Sequence, residues 1–407
     1  MQKQALTGLK VVGFVTAGAG PMLVKSLATQ GATVILIESA KRFNVTRSGG
    51  PYKDNKPGLN RSYSFAFVNS DKYSLSVDLK HPSAKEVARR LVSWADVLVD
   101  NWRTGVLEGW GVDYESAKAI NSDIISLSMT HAGHTGPQSR QAGMGMMQSA
   151  LSGLVTLTGW PDRTPVSTGG LGILPDFIAP RFGVAAIMAA LEYRRRTGLG
   201  QSIDLSEYET ALQFLIPTLL DYTANHKIQS RDGNKSPYAA PHGVYRCQGD
   251  DKWVAIAVFT DAEFATFGKA IGSPAWTRDI KFSTLRGRKE NEEELNRLVE
   301  EWTSSRSAED VMTLLQKAGI EAASLRTIEE AIEHCPQSDY RHYWTTLEHP
   351  DIGKMIYQGN SYLLSKTPYQ IKTPAPRFGE HSEYVCTQLL GMSDKEFTEL
   401  FQQGVFE

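Results

Sequence analysis

The sequence is short of the features that mark most specialised proteins. Its 407 residues include only three cysteines, Cys247, Cys335 and Cys386. These are too few and too scattered for a disulfide framework or a zinc site, and a reducing cytoplasm is the expected compartment. Neither sign of charge is in excess, because 43 Lys and Arg face 45 Asp and Glu for a net charge of −2. A nucleic-acid partner calls for a basic surplus, so none is expected. No apolar run approaches the ~20 residues that cross a bilayer. The opening MQKQALTGLKVVGF lacks the layout of a signal peptide, so no membrane partner is expected either. Internal repeats and low-complexity blocks are missing, as are a GxSxG elbow, a P-loop, a kinase motif set and a cluster of metal ligands. His131 and His134 lie close together without a third ligand and read as loop residues.

What is present is 41% hydrophobic residues, 35 glycines and 18 prolines. That suits a large core divided over two domains with many short turns. Residues 9–14, LKVVGF, read as a buried strand. A Gly/Ala turn follows, then MLVKSLATQ with helical spacing, then the strand GATVILIES ending near Glu38. Both strands are apolar throughout, as in a parallel sheet covered on two faces. The alternation recurs in a helix over 81–95, a strand over 96–102, the helix YESAKAIN and a strand over 123–129. This predicts an α/β domain whose ligands gather at the strand C-terminal ends. RFGVAAIMAALEYRRRTG predicts a long helix with a basic last turn, stopped by Gly198. SIDLSEYETALQFLIPTLLDYTANH starts as a strand and continues as a helix up to Pro217. The polar stretch 225–240 reads as a linker. Beyond it GVYRC and KWVAIAV form a hairpin, helices follow over 289–303 and 307–318, and a last helix falls near 393–403. The expected division is a large α/β domain over 1–216, a small domain with linkers over 217–334, and a return to the large domain over 335–407.

Four segments carry candidate chemistry, each beside a plainer alternative. Thr16-Ala17-Gly18-Ala19-Gly20-Pro21 joins a strand to a helix, and its N–H groups suit a phosphate. Leu23 breaks the dinucleotide pattern GxGxxG, and a tight turn explains the segment equally well. Val77-Asp78-Leu79-Lys80 ends a short alternating strand, where Lys80 either reaches a bound anion or is simply solvated. Asp100-Asn101-Trp102-Arg103 follows the strand VLV. There Arg offers a planar fork for phosphate, Trp a face for adenine and Asn an amide. The other reading is a capping turn with an incidental Arg. Asp176 follows Gly169, Gly170 and Gly172 and stands near the start of the long helix. It is either a helix cap or a carboxylate nucleophile, and composition does not separate the two.

Taken in order, several segments resemble the class III CoA-transferases of the formyl-CoA:oxalate and carnitine type. They are LTGLKVVGF, AGPMLVKSLATQGATVILIE, NSDKYSLSVDLKHPSAKE, ADVLVDNWRTGVLEGWGVDYE, NSDIISLSMTHAGHTGP, LSGLVTLTGWPDRTPVSTGG, LEYRRRTGLGQSIDLSEYE and PRFGEHSEYV. The resemblance spans essentially the whole chain. It implies a Rossmann-like large domain with a parallel sheet, a smaller α+β domain, and an interlocked homodimer or a heteromer with a related subunit. It implies a coenzyme A thioester as substrate and no tightly bound cofactor. Asp176 becomes the nucleophile, carrying first a mixed anhydride and then a CoA thioester. Gly18, Ala19, Val77, Asp78, Leu79, Lys80, Asn101, Trp102 and Arg103 become CoA contacts.

There are departures from the family pattern. Ser39 replaces a basic residue, leaving Lys41 and Arg47 as the nearest cations. Gly109 stands where a family Arg falls, and AGMGMM replaces a Lys-plus-aromatic segment. PHGVYRCQGDDKW takes the place of a glycine loop. Met144, Met146, Met147 and Leu151 read as an apolar acyl pocket or as a core helix. The branch that activates aromatic acids such as benzylsuccinate with succinyl-CoA is the most similar. Two further functions compete. An acyl-CoA racemase of the same fold needs a His/Asp acid–base pair, and 138–153 contains no His. A non-catalytic CoA-binding subunit is weakened by the retained aspartate.

Overall fold

The computed structural model describes residues 3–141, 143–167 and 174–406, so Gly169, Gly170 and Gly172 lie outside the described residues. The chain divides into two compact units. One comprises 1–155, 167–228 and 337–407, and the other 156–166 and 229–336.

The first unit is built on six parallel strands: β1 (Lys10–Phe14), β2 (Thr33–Glu38), β3 (Tyr73–Ser76), β4 (Val97–Asp100), β5 (Ile125–Thr130) and β6 (Ser202–Ser206). Their order is β3-β2-β1-β4-β5-β6, a doubly wound sheet. Alternate residues enter opposite cores. Val11, Val34, Leu36 and Val97 pack with Leu23 of helix Ala19–Ala28 and Ile187 of helix Leu174–Thr197. Val12, Ile35, Leu75 and Leu98 pack on the other face with Val87 and Leu91 of helix Ala84–Trp94. Cover on both faces is why these strands are apolar throughout.

Contrary to the expectation from the sequence, one helix, Leu174–Thr197, is long and apolar enough by length and composition to cross a bilayer. Here it packs against β5, β6 and helix Ala19–Ala28. Phe177, Phe182 and Tyr193 along it remain exposed. Arg194, Arg195 and Arg196 complement its negative end, and Gly198 follows at φ 74°. Pro217 begins a helix rather than ending one. Helix Glu207–Leu212 passes through a short turn into helix Ile216–Asn225, whose first turn holds the proline. An N–H is dispensable at that position.

The second unit carries an antiparallel sheet of β7 (His242–Arg246), β8 (Trp253–Ala257) and β9 (Glu321–Ser324), in that order. β7 and β8 form the predicted hairpin. β9 has only four residues, none of them fully buried. Helices Asp261–Ala270, Glu292–Thr303 and Ala308–Lys317 bury Phe264, Phe267, Leu295, Val299 and Leu315 in the core of this unit. The chain then returns to the first unit. A hairpin of β10 (Trp344–His349) and β11 (Gly353–Gln358) adds Met355 and Tyr357 to its core. The last segment covers edge strand β3: Gly379 N–H donates to Ser74 Oγ and His381 N–H to Ser74 O, both at 3.0 Å. An edge so covered is closed to pairing with another chain.

One ion pair ties these pieces together. Glu38, at the end of β2, accepts two 2.7 Å hydrogen bonds from Arg47 Nε and Nη2. Arg47 also donates to Leu59 O, Asn60 Oδ1 and Pro376 O, and lies 3.4 Å over the Phe65 ring. Ser74 Oγ donates to the same carboxylate at 2.7 Å. Both partners are buried. Arg47→Met is therefore expected to cost about 3–5 kcal/mol, because it strands a buried carboxylate. The measurement is the urea midpoint. Adding Glu38→Gln is expected to recover part of the loss in a double-mutant cycle.

Candidate active site

The strand order reverses between β1 and β4, which opens a crevice at their C-terminal ends. Asn101 clasps it. Thr16 N–H donates to Asn101 Oδ1 at 2.8 Å, and Asn101 Nδ2 donates to Thr16 O at 2.9 Å. Gly20 makes this approach possible, since a Cβ there falls 2.8 Å from Asn101 Cγ. Ala17 N–H donates to Asn44 Oδ1, so two asparagines hold the Gly-rich turn. Gly18 caps the following helix, and Ala19 within it is buried.

A cavity of about 480 Å³ opens beside this turn. Phe14, Ile37, Val77 and Leu79 give it apolar surface, and Trp102 and Trp110 meet edge to face at 5.6 Å. Lys41, Arg42 and Lys80 bring positive charge to the lining. The Arg42 guanidinium lies 4.7 Å over the Trp102 ring. Asp78 also lines the cavity, and its Oδ1 accepts from Lys80 N–H at 3.0 Å. The predicted set therefore divides. Val77, Asp78, Leu79, Lys80 and Trp102 share one cavity. Asn101, Gly18 and Ala19 shape the turn next to it. Arg103 is exposed and outside its lining. Arg47, named from the sequence as a nearby cation, is committed to Glu38. Arg42 serves the cavity instead, and its place four residues beyond the end of β2 was a readable signal. Gly109 lines the wall where a side chain was expected.

A second cluster forms where helices Gly145–Leu151, Leu174–Thr197 and Glu207–Leu212 pack together. Asp176 is the third residue of its helix, half-buried, and makes no hydrogen bond or ion pair among the described residues. The capping alternative thus has no bond to support it. Burial raises its pKa to about 6. Glu207 is 7% exposed, and burial, then the charge of Asp176, raises its pKa to about 8. Its carboxylate lies 2.5 Å from Nε2 of the buried Gln148. Sequence reasoning missed both residues. The signal was a charged residue directly after strand SIDLS, at a strand C-terminal end. Met144, Met146, Met147 and Leu151 are all exposed, so neither a pocket nor a core forms from them within this unit. Gly145, Gln148 and Ser149 make the buried face of that helix.

Between the clusters runs a polar relay at the strand ends. Buried Asp100, its pKa raised to about 7 by burial, is bonded by the Ser128 hydroxyl and the Trp102 N–H. His134 Nε2 lies 2.5 Å from Ser128 Oγ, and its N–H bonds the Asp204 carboxylate at 3.0 Å. His134 is thus anchored rather than loose.

The fold belongs to the class of open α/β proteins that take their ligands at the sheet's switch point. The family model described as CoA-transferase family III matches residues 6–382. A succinyl-CoA–D-citramalate CoA-transferase of Chloroflexus aurantiacus is 30% identical over 383 residues, covering 94% of this chain and 93% of the relative. The beta subunit of a succinyl-CoA–L-malate CoA-transferase from the same organism is 30% identical over 408 residues, covering 98% of each. The crystal structure of a CaiB/BaiF family protein from Brucella suis superposes with a TM-score of 0.86 at 31% identity, covering 95% of this chain and all of the other. The chain belongs to CoA-transferase family III and is an enzyme of the transferase class that moves coenzyme A.

Asn101→Ala is expected to leave both Thr16 backbone groups unpaired and to cost about 1–3 kcal/mol. Native-state hydrogen exchange at the Thr16 amide is expected to accelerate, while amides of the second unit keep their protection.

Proposed function

We propose that the chain moves CoA from succinyl-CoA to a carboxylic acid, with Asp176 as the covalent carrier. The observation that carries this reading is the state of Asp176. It is a half-buried carboxyl, in the first turn of a long helix, with no hydrogen bond or ion pair to any described group. Such a carboxyl is available to react. A pKa of about 6 leaves it ionised at neutral pH yet a better nucleophile than an ordinary carboxylate.

The Asp176 oxygen attacks the thioester carbonyl of the donor. The C–S bond breaks, CoA leaves as thiolate with the electron pair, and a mixed anhydride joins Asp176 to the donor acyl group. The thiolate attacks the aspartyl carbonyl, forming an aspartyl-CoA thioester and freeing the donor carboxylate. The acceptor carboxylate then attacks in the same way, the thiolate returns to the new acyl group, and Asp176 is regenerated. No net proton is consumed. Each activated state has to be kept from water.

The cavity by Trp102 suits the nucleotide end of CoA. Trp102 offers a ring face to adenine, and Lys41, Arg42 and Lys80 offer charge to its phosphates. The acceptor in this proposal is a dicarboxylic acid with an apolar or aromatic body, such as benzylsuccinate. The exposed Met144, Met146, Met147 and Leu151 beside Gln148 support the apolar part. The citramalate and malate enzymes support the dicarboxylate part. An interlocked dimer, or a heteromer with a related subunit, belongs to the same proposal. Phe182, Phe214, Leu219 and Leu220 are exposed on the first unit and suit a protein partner. A cytoplasmic setting fits Cys247, Cys335 and Cys386, which form no disulfide.

Incubation with succinyl-CoA and a hydroxylamine quench is expected to mark Asp176 in a peptide map. Asp176→Asn is expected to lower exchange at least about a thousandfold while CoA still binds. Activity without any adduct at Asp176 overturns the mechanism. The rate is expected to fall as pH drops through about 6, where Asp176 takes up its proton. With succinyl-CoA as donor, benzylsuccinate is expected to outrun malate and oxalate. The reverse order removes the aromatic acceptor.

A further inference from the structure

This inference rests on Asp176 as the CoA carrier. The returning thiolate and the acceptor carboxylate both approach that residue as anions. A second fixed negative charge beside it opposes each approach. Yet Glu207 stands there, 7% exposed, with no cationic partner among the described residues. Helix Gly145–Leu151 and turn Gln213–Leu215, which pack against the Glu207 helix, contain no titratable side chain. On helix Leu174–Thr197 the charged residues are Asp176, Arg181, Glu192, Arg194, Arg195 and Arg196, and of these only Asp176 acts on Glu207. Tyr208 and Glu209 follow on its own helix.

A buried carboxylate without a cation is costly, whereas a buried carboxylic acid with one amide partner is not. The 2.5 Å contact to Gln148 points the same way. That length suits an O–H···O bond better than N–H···O, and the two ends of a glutamine amide are interchangeable in such an assignment. We propose that Glu207 carries the proton of a carboxyl pair and Asp176 the charge, which makes Glu207 a positioning residue for the nucleophile. Two coupled acids lose their protons in successive steps that belong to the pair. The first falls near about 6 and the second near about 8. Between them the cluster holds one negative charge, on the residue that attacks. Glu207 keeps its proton while the C–S and C–O bonds exchange.

The test is the pH profile of kcat for the wild-type enzyme and for Glu207→Gln, with hydroxylamine trapping on the same samples. The wild-type rate is expected to decline above about 8, as Glu207 ionises. Glu207→Gln cannot ionise. It is expected to lower kcat about three- to tenfold, leave KM for the donor unchanged, and abolish the alkaline decline. A variant that keeps the wild-type alkaline decline overturns the inference, and the trapped adduct still stands for the carrier. An absent wild-type adduct overturns the carrier reading instead. Should Glu207→Gln not fold, infrared titration of the wild type against Asp176→Asn decides. The protonated-carboxyl band of Glu207 is expected to titrate about one pH unit or more lower once the Asp176 charge is gone. A band that stays in place overturns the proposal.

Discussion

The bidentate pair between Glu38 and Arg47 sits where β2 ends, and four separate stretches of chain meet on it. β2 supplies the carboxylate and β3 the Ser74 hydroxyl. The 59–60 loop and the returning C-terminal segment accept the remaining guanidinium bonds. Because every donor and acceptor must be met once the charges are buried, the pair fixes these four stretches jointly. Glu38 also lines the cavity by Trp102, so the wall of that cavity inherits its position from this node. Residues more than 300 positions apart are thereby made neighbours at the strand ends.

The site sets two electrostatic regimes side by side in one unit. At the cavity the charges are exposed cations, Lys41, Arg42 and Lys80, on flexible stems, which suits phosphates that arrive and leave in solvent. In the helix cluster the ionisable groups are carboxyls drawn out of water, and burial rather than pairing governs them. CoA chemistry asks for both. Its handle is a hydrated polyanion, and in the proposed mechanism its reactive end meets a carboxylate that is neither quenched by a cation nor exposed to water. The cluster achieves this by withholding partners. That is a costly arrangement elsewhere in a fold, and it marks the place as functional.

Much of the sheet was legible from the chain alone. LKVVGF, GATVILIES and DVLVD are apolar on both faces, and that pattern has one common solution, a covered parallel sheet. The switch-point turn was legible too, because Gly18, Gly20 and Pro21 are the residues a strand-to-helix turn demands. β9 was not, since EAAS is too short to show a period. Nor was the role of Pro217, because a proline that ends one helix and a proline that starts the next look alike in sequence.

The site divides along the same line. Local chemistry, read in order, was enough to single out Asp176, the 77–80 segment and Trp102, and the order of matching segments named the family. The fate of each charge was not local. Arg47 and Arg42 are five residues apart and chemically identical. One is sealed against Glu38 and the other lies over Trp102, because the fold surrounds the first with acceptors and leaves the second at the cavity. The state of the Glu207 charge was hidden for the same reason, although its place directly after strand SIDLS was readable. A glutamate in a polar stretch is an ordinary surface residue until three helices close over it and Asp176 comes alongside. The sequence by itself determined the parallel sheet and its turns, since these follow from periodicity and from residue type. Only the tertiary structure decided which charges are solvated, which are paired and which are left alone, because desolvation depends on neighbours that the chain brings together only when it folds.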